Sequence, residues 1–298
     1  MNNLLKSVTK KRSTLTFLSV LILAVLVVAL PFQALAAQDP QEGHASQVFY
    51  TTSFAGTHGA EIWAIIVSHG EITTKDVGST YGGACVSLAL SPSTGKLYSM
   101  CGALFGTQHL ATIDPKTGLA SLFGVGVPGL SVMAMGFGPD GKTLYAVGDC
   151  NPDPKTFECN TAASPPDPNY NSLYKVDTAT GAVTRIGPTG APQFFMDLAL
   201  GRNGHMLGVT ATVFPSKIPA VLYSIDLATG KASKIVNLVG SNTVMGLAFG
   251  TDGKLYATDF TNNPGLYRVN IKTGFETAIA ALPFGLSSGL ELMNPTEG

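Results

Sequence analysis

The sequence predicts an all-β fold: a five-bladed β-propeller of four-stranded antiparallel blades, closed by a C-terminal strand that joins the N-terminal blade. Three observations predict it. Two short patterns alternate along the chain and recur about every 48 residues. No stretch of the mature chain shows a persuasive helical period. The two ends carry complementary parts of one repeat.

Residues 1–36 stand apart. Lys6, Lys10, Lys11 and Arg12 form a basic head, Leu15 to Leu30 is an uncharged apolar run, Pro31 breaks it, and Ala34-Leu35-Ala36 offers the small residues that a signal peptidase reads. The alternative is an uncleaved anchor, but a run of about 16 residues is short for a span of roughly 20. No cysteine follows the run, so a lipoprotein is not expected. The reading is therefore a signal peptide over 1–36, cleaved after Ala36 or Ala37, a short linker over 37–46, and a secreted propeller over 47–298. Removing four of the 18 Lys+Arg leaves 14 against 19 Asp+Glu, a net charge of −5. No basic run remains, which argues against nucleic acid and against an anionic membrane surface once the signal is removed. Charged residues are only 12% and hydrophobic residues 45%, so the mature chain has the apolar content for one large core. A monomer is expected.

The first pattern reads apolar, small, apolar, then a turn, then Leu-Tyr or a close variant. Its copies run from Leu88-Ala89-Leu90 to Leu97-Tyr98, from Met135-Gly136-Phe137 to Leu144-Tyr145, from Leu198-Ala199-Leu200 to Met206-Leu207, and from Leu247-Ala248-Phe249 to Leu255-Tyr256. Thr94-Gly95, Asp140-Gly141, Asn203-Gly204 and Asp252-Gly253 sit in the turns; Asn-Gly and Asp-Gly suit tight hairpins because both residues tolerate positive φ. The second pattern is a strand ending in Asp or Asn, two residues, then Thr-Gly: Asp114 to Gly118, Asp177 to Gly181, Asp226 to Gly230, Asn270 to Gly274. The side chain bonds the turn's own backbone and Gly takes the left-handed position. A degenerate fifth copy is Ile62-Trp63-Ala64-Ile65 with His69-Gly70 at its turn. Together they give strands A, B, C and D of a blade. The chain opens on a B-like strand, Gln47 to Thr51, and closes on an A-like one, Gly289 to Leu292, so the last strand completes the first blade and the count is five.

Phrases such as Leu247-Ala248-Phe249-Gly250-Thr251-Asp252-Gly253-Lys254-Leu255-Tyr256 and Leu222-Tyr223-Ser224-Ile225-Asp226-Leu227-Ala228-Thr229-Gly230 resemble the repeats of secreted bacterial propellers of the NHL and YVTN-like kind. The resemblance covers nearly all of the mature chain. It implies the fold and little about function, because such repeats serve lectins, hydrolases, lyases and scaffolds alike.

Four cysteines remain: Cys85, Cys101, Cys150 and Cys159. Folding the hairpin about Thr94-Gly95 brings Cys85 and Cys101 nearly opposite. Cys150 and Cys159 lie in a B–C loop about 15 residues longer than its counterparts and rich in Pro, Asp and Asn. Pairs 85–101 and 150–159 are expected as disulfides. Zinc is the alternative, although neither pair has Cys-x-x-Cys spacing.

What recurs in every blade builds the wheel, so Asp114, Asp177, Asp226 and the repeated tyrosines read as architecture. The exceptions carry information. One column of the innermost strands reads Ser87, Ala134, Asp197, Gly246, Gly289; the next reads Ala89, Gly136, Ala199, Ala248, Glu291. Asp197 and Glu291 are the catalytic candidates. They can bind a cation such as Ca²⁺, serve as acid and base with shifted proton affinities, or simply bond strand ends at the axis. The loops before strand A and between B and C share a face that carries His58, Tyr81, Phe105, His109, Phe194, Phe195, Phe214, Asp259 and Asn263, where aromatics can stack on a sugar or grip a partner. Phe194-Phe195 can equally be core, and Trp63 packs between blades. No His-Glu-x-x-His motif is present. The sequence thus points to an extracellular binding module for a glycan, cell-wall component or protein. Its rival is a lactonase- or glycosidase-like hydrolase, or a lyase, with axial carboxylates and an assisting metal.

Overall fold

The computed structural model describes residues 46–293, except 55–59, 104–106, 128–129, 151–170, 212–217, 242 and 262–263; the side chains of 125–127 and 149–150 are also outside the description. The expected signal peptide and the Cys159 side of the second cysteine pair therefore lie outside the described residues.

Among the described residues twenty strands follow one another. In chain order they are β1 (Gln47–Ser53), β2 (Glu61–Ser68), β3 (Glu71–Ser79), β4 (Ala84–Leu90), β5 (Leu97–Gly102), β6 (Gln108–Ile113) and β7 (Ala120–Val127). Next come β8 (Leu130–Phe137), β9 (Leu144–Cys150), β10 (Ser172–Val176), β11 (Val183–Pro188), β12 (Phe194–Leu200), β13 (Met206–Ala211), β14 (Val221–Ile225) and β15 (Ala232–Asn237). The chain ends on β16 (Val244–Phe249), β17 (Leu255–Asp259), β18 (Gly265–Val269), β19 (Glu276–Ala281) and β20 (Ser287–Met293).

They form five four-stranded antiparallel sheets, four of them built from consecutive strands and the fifth ordered β20-β1-β2-β3. The closing strand pairs as its pattern predicts: Phe49 faces Leu292, Tyr50 faces Glu291 and Thr51 faces Leu290. Gln47 adds a side-chain lock. Its amide donates to Tyr256 Oη at 3.1 Å and its carbonyl accepts the Thr251 amide at 2.9 Å, tying β1 to the neighbouring blade.

The recurring residues do the work their positions require. Asp114, Asp177, Asp226 and Asn270 each accept an amide two residues on, at 2.8–3.0 Å. The glycine closing each turn is left-handed, as at Gly118 with φ 75°. These turns also join blades. A Cβ on Gly187 would lie 2.4 Å from the Thr229 carbonyl oxygen, so the outer strand of one blade rests directly on the C–D turn of the next. Ala232 N–H donates across the same seam to Thr189 O at 2.9 Å. Aromatic rings fill the space between blades: Tyr98 meets Phe137 at 5.8 Å, Phe49 meets Tyr256 at 5.0 Å, and Trp63 stacks on Phe284 at 4.8 Å. Each such pair contributes about 0.5–1.5 kcal/mol beyond burial. Cys85 and Cys101, cross-strand partners on β4 and β5, form a disulfide.

Candidate functional site

The axis is where the five innermost strands converge, and each of them carries a register irregularity at the corresponding level. It falls after Val86 in β4, Val132 in β8, Phe195 in β12 and Val244 in β16, and at the β1 step Thr51/Thr52 opposite β20. A bulge leaves backbone groups unpaired in the ladder. Buried on the axis, those groups must be satisfied by something else.

Asp197 supplies the acceptors. It is fully buried. Its Oδ1 accepts from Ser87 Oγ at 2.8 Å and from the amide of Leu198 at 3.0 Å; its Oδ2 accepts from the amides of Leu247 at 2.8 Å and Leu290 at 2.9 Å. Ser87 Oγ in turn accepts the amide of Met135 at 2.9 Å, which commits its own hydrogen to Asp197. One carboxylate and one hydroxyl thus join β4, β8, β12, β16 and β20. Burial raises the proton affinity of Asp197 above the ordinary carboxylate range, and the four hydrogen bonds pull against it. A carboxylate with four donors on its two oxygens has no lone pair turned toward a ligand.

Glu291 is placed differently. It lines a funnel of about 500 Å³ that opens among the A–B hairpins. Leu90, Phe137, Leu200, Phe249 and Leu292, the equivalent last residues of the pattern in all five blades, form an apolar ring around it. Glu291 is the only acid among the described residues of this wall, and Arg202 stands at the rim, donating to the Thr251 carbonyl. Burial first, then the charge of Asp197, pushes the Glu291 carboxyl well above its usual range, while the amides of Leu90 and Leu292 pull it down. An apolar funnel with one carboxyl on its wall can take up the apolar part of a ligand and orient it by a hydrogen bond to that carboxyl.

The predicted loop face fares unevenly. His58, Phe105, Phe214 and Asn263 lie outside the described residues, as does the side chain of Cys150. Tyr81 is 68% exposed, with φ 51°. His109 sits within β6 opposite Cys101 and is partly buried. Phe194 is half-buried against the core, and Phe195 is wholly inside it, its ring 5.6 Å from Tyr223. Asp259 is also buried, its Oδ1 accepting the Gly265 amide at 2.7 Å. Among the described candidates, Asp197 and Glu291 come together on the axis.

Two participants were missed by sequence reasoning. Ser87 stood in the same column as Asp197, but its hydroxyl was read as merely small. Glu276 begins β19 where β7 and β15 begin with Ala120 and Ala232. Because β11 begins with Val183 and β3 with another acid, Glu71, this column is mixed and gave no signal as clear as the one at Asp197.

A family described as a repeat of unknown function, DUF6923, matches residues 133–288. No curated protein matches the chain. Among solved structures, the chain is similar to the periplasmic gluconolactonase of Pseudomonas aeruginosa, at 10% identity and a TM-score of 0.46 over 84% of this chain and 99% of that one. It is similar to a chain of a nidogen/laminin complex, at 9% identity and a TM-score of 0.48 over 84% and 99%. It is also similar to virginiamycin B lyase of Staphylococcus aureus, at 13% identity and a TM-score of 0.42 over 80% and 75%.

Proposed function

The chain belongs to the DUF6923 family of repeats, and on that footing we propose that it is an extracytoplasmic binding module whose ligand site is the funnel on the A–B hairpin side. The observation that carries this reading is the pairing of a cavity of about 500 Å³ with a single carboxylic residue among the described residues that line it. Such a volume suits a drug-sized molecule or a short glycan unit. The apolar ring would receive the ligand's apolar face, and Glu291 would fix its orientation through a hydroxyl or ammonium group. The second axial acid is committed to five-strand closure, which removes the partner that two-carboxylate hydrolysis needs. The Cys85–Cys101 disulfide fits an oxidising compartment.

The test is a binding screen against glycans, polyols and apolar amines, read by protein-observed NMR and repeated on Ala199→Phe, which fills the funnel from its wall. The expected result is a ligand that binds the wild type and loses at least tenfold in affinity on Ala199→Phe, with the thermal transition retained. Binding indifferent to Ala199→Phe would remove the funnel from consideration. The hydrolase reading keeps one observation in its favour, the raised proton affinity that a general acid requires. Turnover of a lactone or glycoside that disappears in Glu291→Gln would establish it instead.

A further inference from the structure

Away from the axis, where the blade that ends on β15 leads into the one that begins on β16, two buried carboxylates meet the same residue, Ser241. Asp259 ends β17 and is 5% exposed; Glu276 starts β19 and is 7% exposed. Each is anchored through one oxygen to a backbone amide: Asp259 Oδ1 to Gly265 at 2.7 Å, and Glu276 Oε2 to Ser241 at 2.6 Å. Each leaves its second oxygen under-used. Among the described residues, Asp259 Oδ2 has only long contacts, 3.4 Å to Ser241 Oγ and 3.5 Å to Tyr267 Oη. Glu276 Oε1 has no hydrogen-bond partner at all.

Burial of both acids is the largest influence on their proton affinities, and each is raised by it. Repulsion from Asp259 adds to the rise at Glu276, and no lysine, arginine or histidine figures among the groups acting on either one. Buried charges of one sign are ordinarily paired with the opposite sign or coordinate a metal. Ser241 also contributes a hydroxyl that lies 3.4 Å from Thr243 Oγ1, so the available donors are all oxygen. An all-oxygen set built on carboxylates and hydroxyls selects a hard cation over zinc or copper.

We propose that Asp259 Oδ2, Glu276 Oε1 and the Ser241 hydroxyl form a Ca²⁺ site at this seam between blades. Among the described residues no group of three or more His, Cys, Asp or Glu is arranged for a metal, so the remaining coordination falls to hydroxyls, carbonyls and water. A site with two carboxylates belongs with the weaker extracellular ones, with a Kd on the order of 0.1–1 mM. It is separate from the funnel and stands or falls independently of the ligand reading.

The experiment is calorimetric titration of the chelator-treated protein with CaCl₂, with thermal unfolding at 10 mM CaCl₂ against KCl of matched ionic strength. Expected are one bound Ca²⁺ and a Tm rise of about 5 °C. Glu276→Gln should abolish both while leaving the circular dichroism spectrum unchanged, since an amide keeps an acceptor for the Ser241 N–H. Ser241→Ala, which retains that N–H, should weaken binding about threefold to tenfold. If Glu276→Gln fails to fold, Asp259→Asn carries the same test. The proposal is overturned if the wild type gives no Ca²⁺-specific heat or Tm shift, or if the folded variants respond as the wild type does.

Discussion

Asp197 accepts hydrogen bonds from Ser87, Leu198, Leu247 and Leu290, so Asp197→Asn turns one acceptor oxygen into a donor facing other donors. At least one backbone amide on the axis then loses its partner in a site without water access. The expected cost is about 2–4 kcal/mol of stability, measured by urea unfolding. A residue reserved for chemistry would behave in the opposite way, because removing it would leave stability intact and abolish turnover. Glu291 makes a different prediction. Its carboxyl is raised in the fold above the 4.5 of an unstructured chain. The folded state therefore holds a proton that the unfolded state has released, and stability falls as pH climbs from about 4.5 toward the raised value. Glu291→Gln has no proton to release, so its loss of stability between pH 4.5 and 7 should be shallower than that of the wild type. A slope equal to the wild type's would mean that Glu291 is not the group responsible.

At the scale of strands and turns, the seam between blades depends on contact of backbone with backbone. Gly187 has no left-handed φ to protect, yet a Cβ there would reach within 2.4 Å of the Thr229 carbonyl oxygen. Gly190, three residues on, has φ 75° and nothing within 4 Å. Gly187→Ala must therefore push two blades apart, at an expected 2 kcal/mol or more, whereas Gly190→Ala should cost only the backbone term of about 1 kcal/mol. Denaturant midpoints of the two variants decide it, and equal losses would refute the contact argument. The turn residues on which these seams rest were legible in the sequence because turn chemistry is local: Asp114, Asp177 and Asp226 bond their own turns wherever they stand. The blade count was legible for a related reason, since complementary end strands can be matched on paper. The bulges of the inner strands were not legible. Their sequences are nearly unbroken apolar or small runs, such as Val244 to Phe249, in which no residue marks the step, and only the crowding of five strands makes the released amides converge on Asp197. Position alone left Phe195 open between the loop face and the core and placed Asp259 on the loop face, because a residue beside a loop can turn inward. Phe195 does so to pack on Tyr223, and Asp259 to cap Gly265.

For the whole molecule, closure is a property of the ring and does not belong to one blade. The register sets Val48 opposite Met293, so the end of β20 lies beside the start of β1. Each other blade already has its inner hairpin in one piece, for example β8 and β9 joined through Asp140-Gly141. Joining Met293 to Gln47 through a short Gly/Ser linker and opening the chain at Gly141 would transfer the shared blade to β8–β11. The permuted ring would retain the hub at Asp197, all five seams and the disulfide between Cys85 and Cys101. Its exposed break would fall in a hairpin tip where Gly141 is left-handed and Asp140 caps Lys142 and Thr143, so the expected loss is that one turn. We therefore expect the permutant to fold with a Tm within about 5 °C of the parent. Deleting β20 without permutation should instead leave β1 as an open inner edge, strip Asp197 of its Leu290 donor and give an aggregating chain. If the permutant failed to fold while the β20 deletion stayed soluble and cooperative, the ring would not be the unit of stability, and the order of strands along the chain would have to supply what closure is here taken to supply.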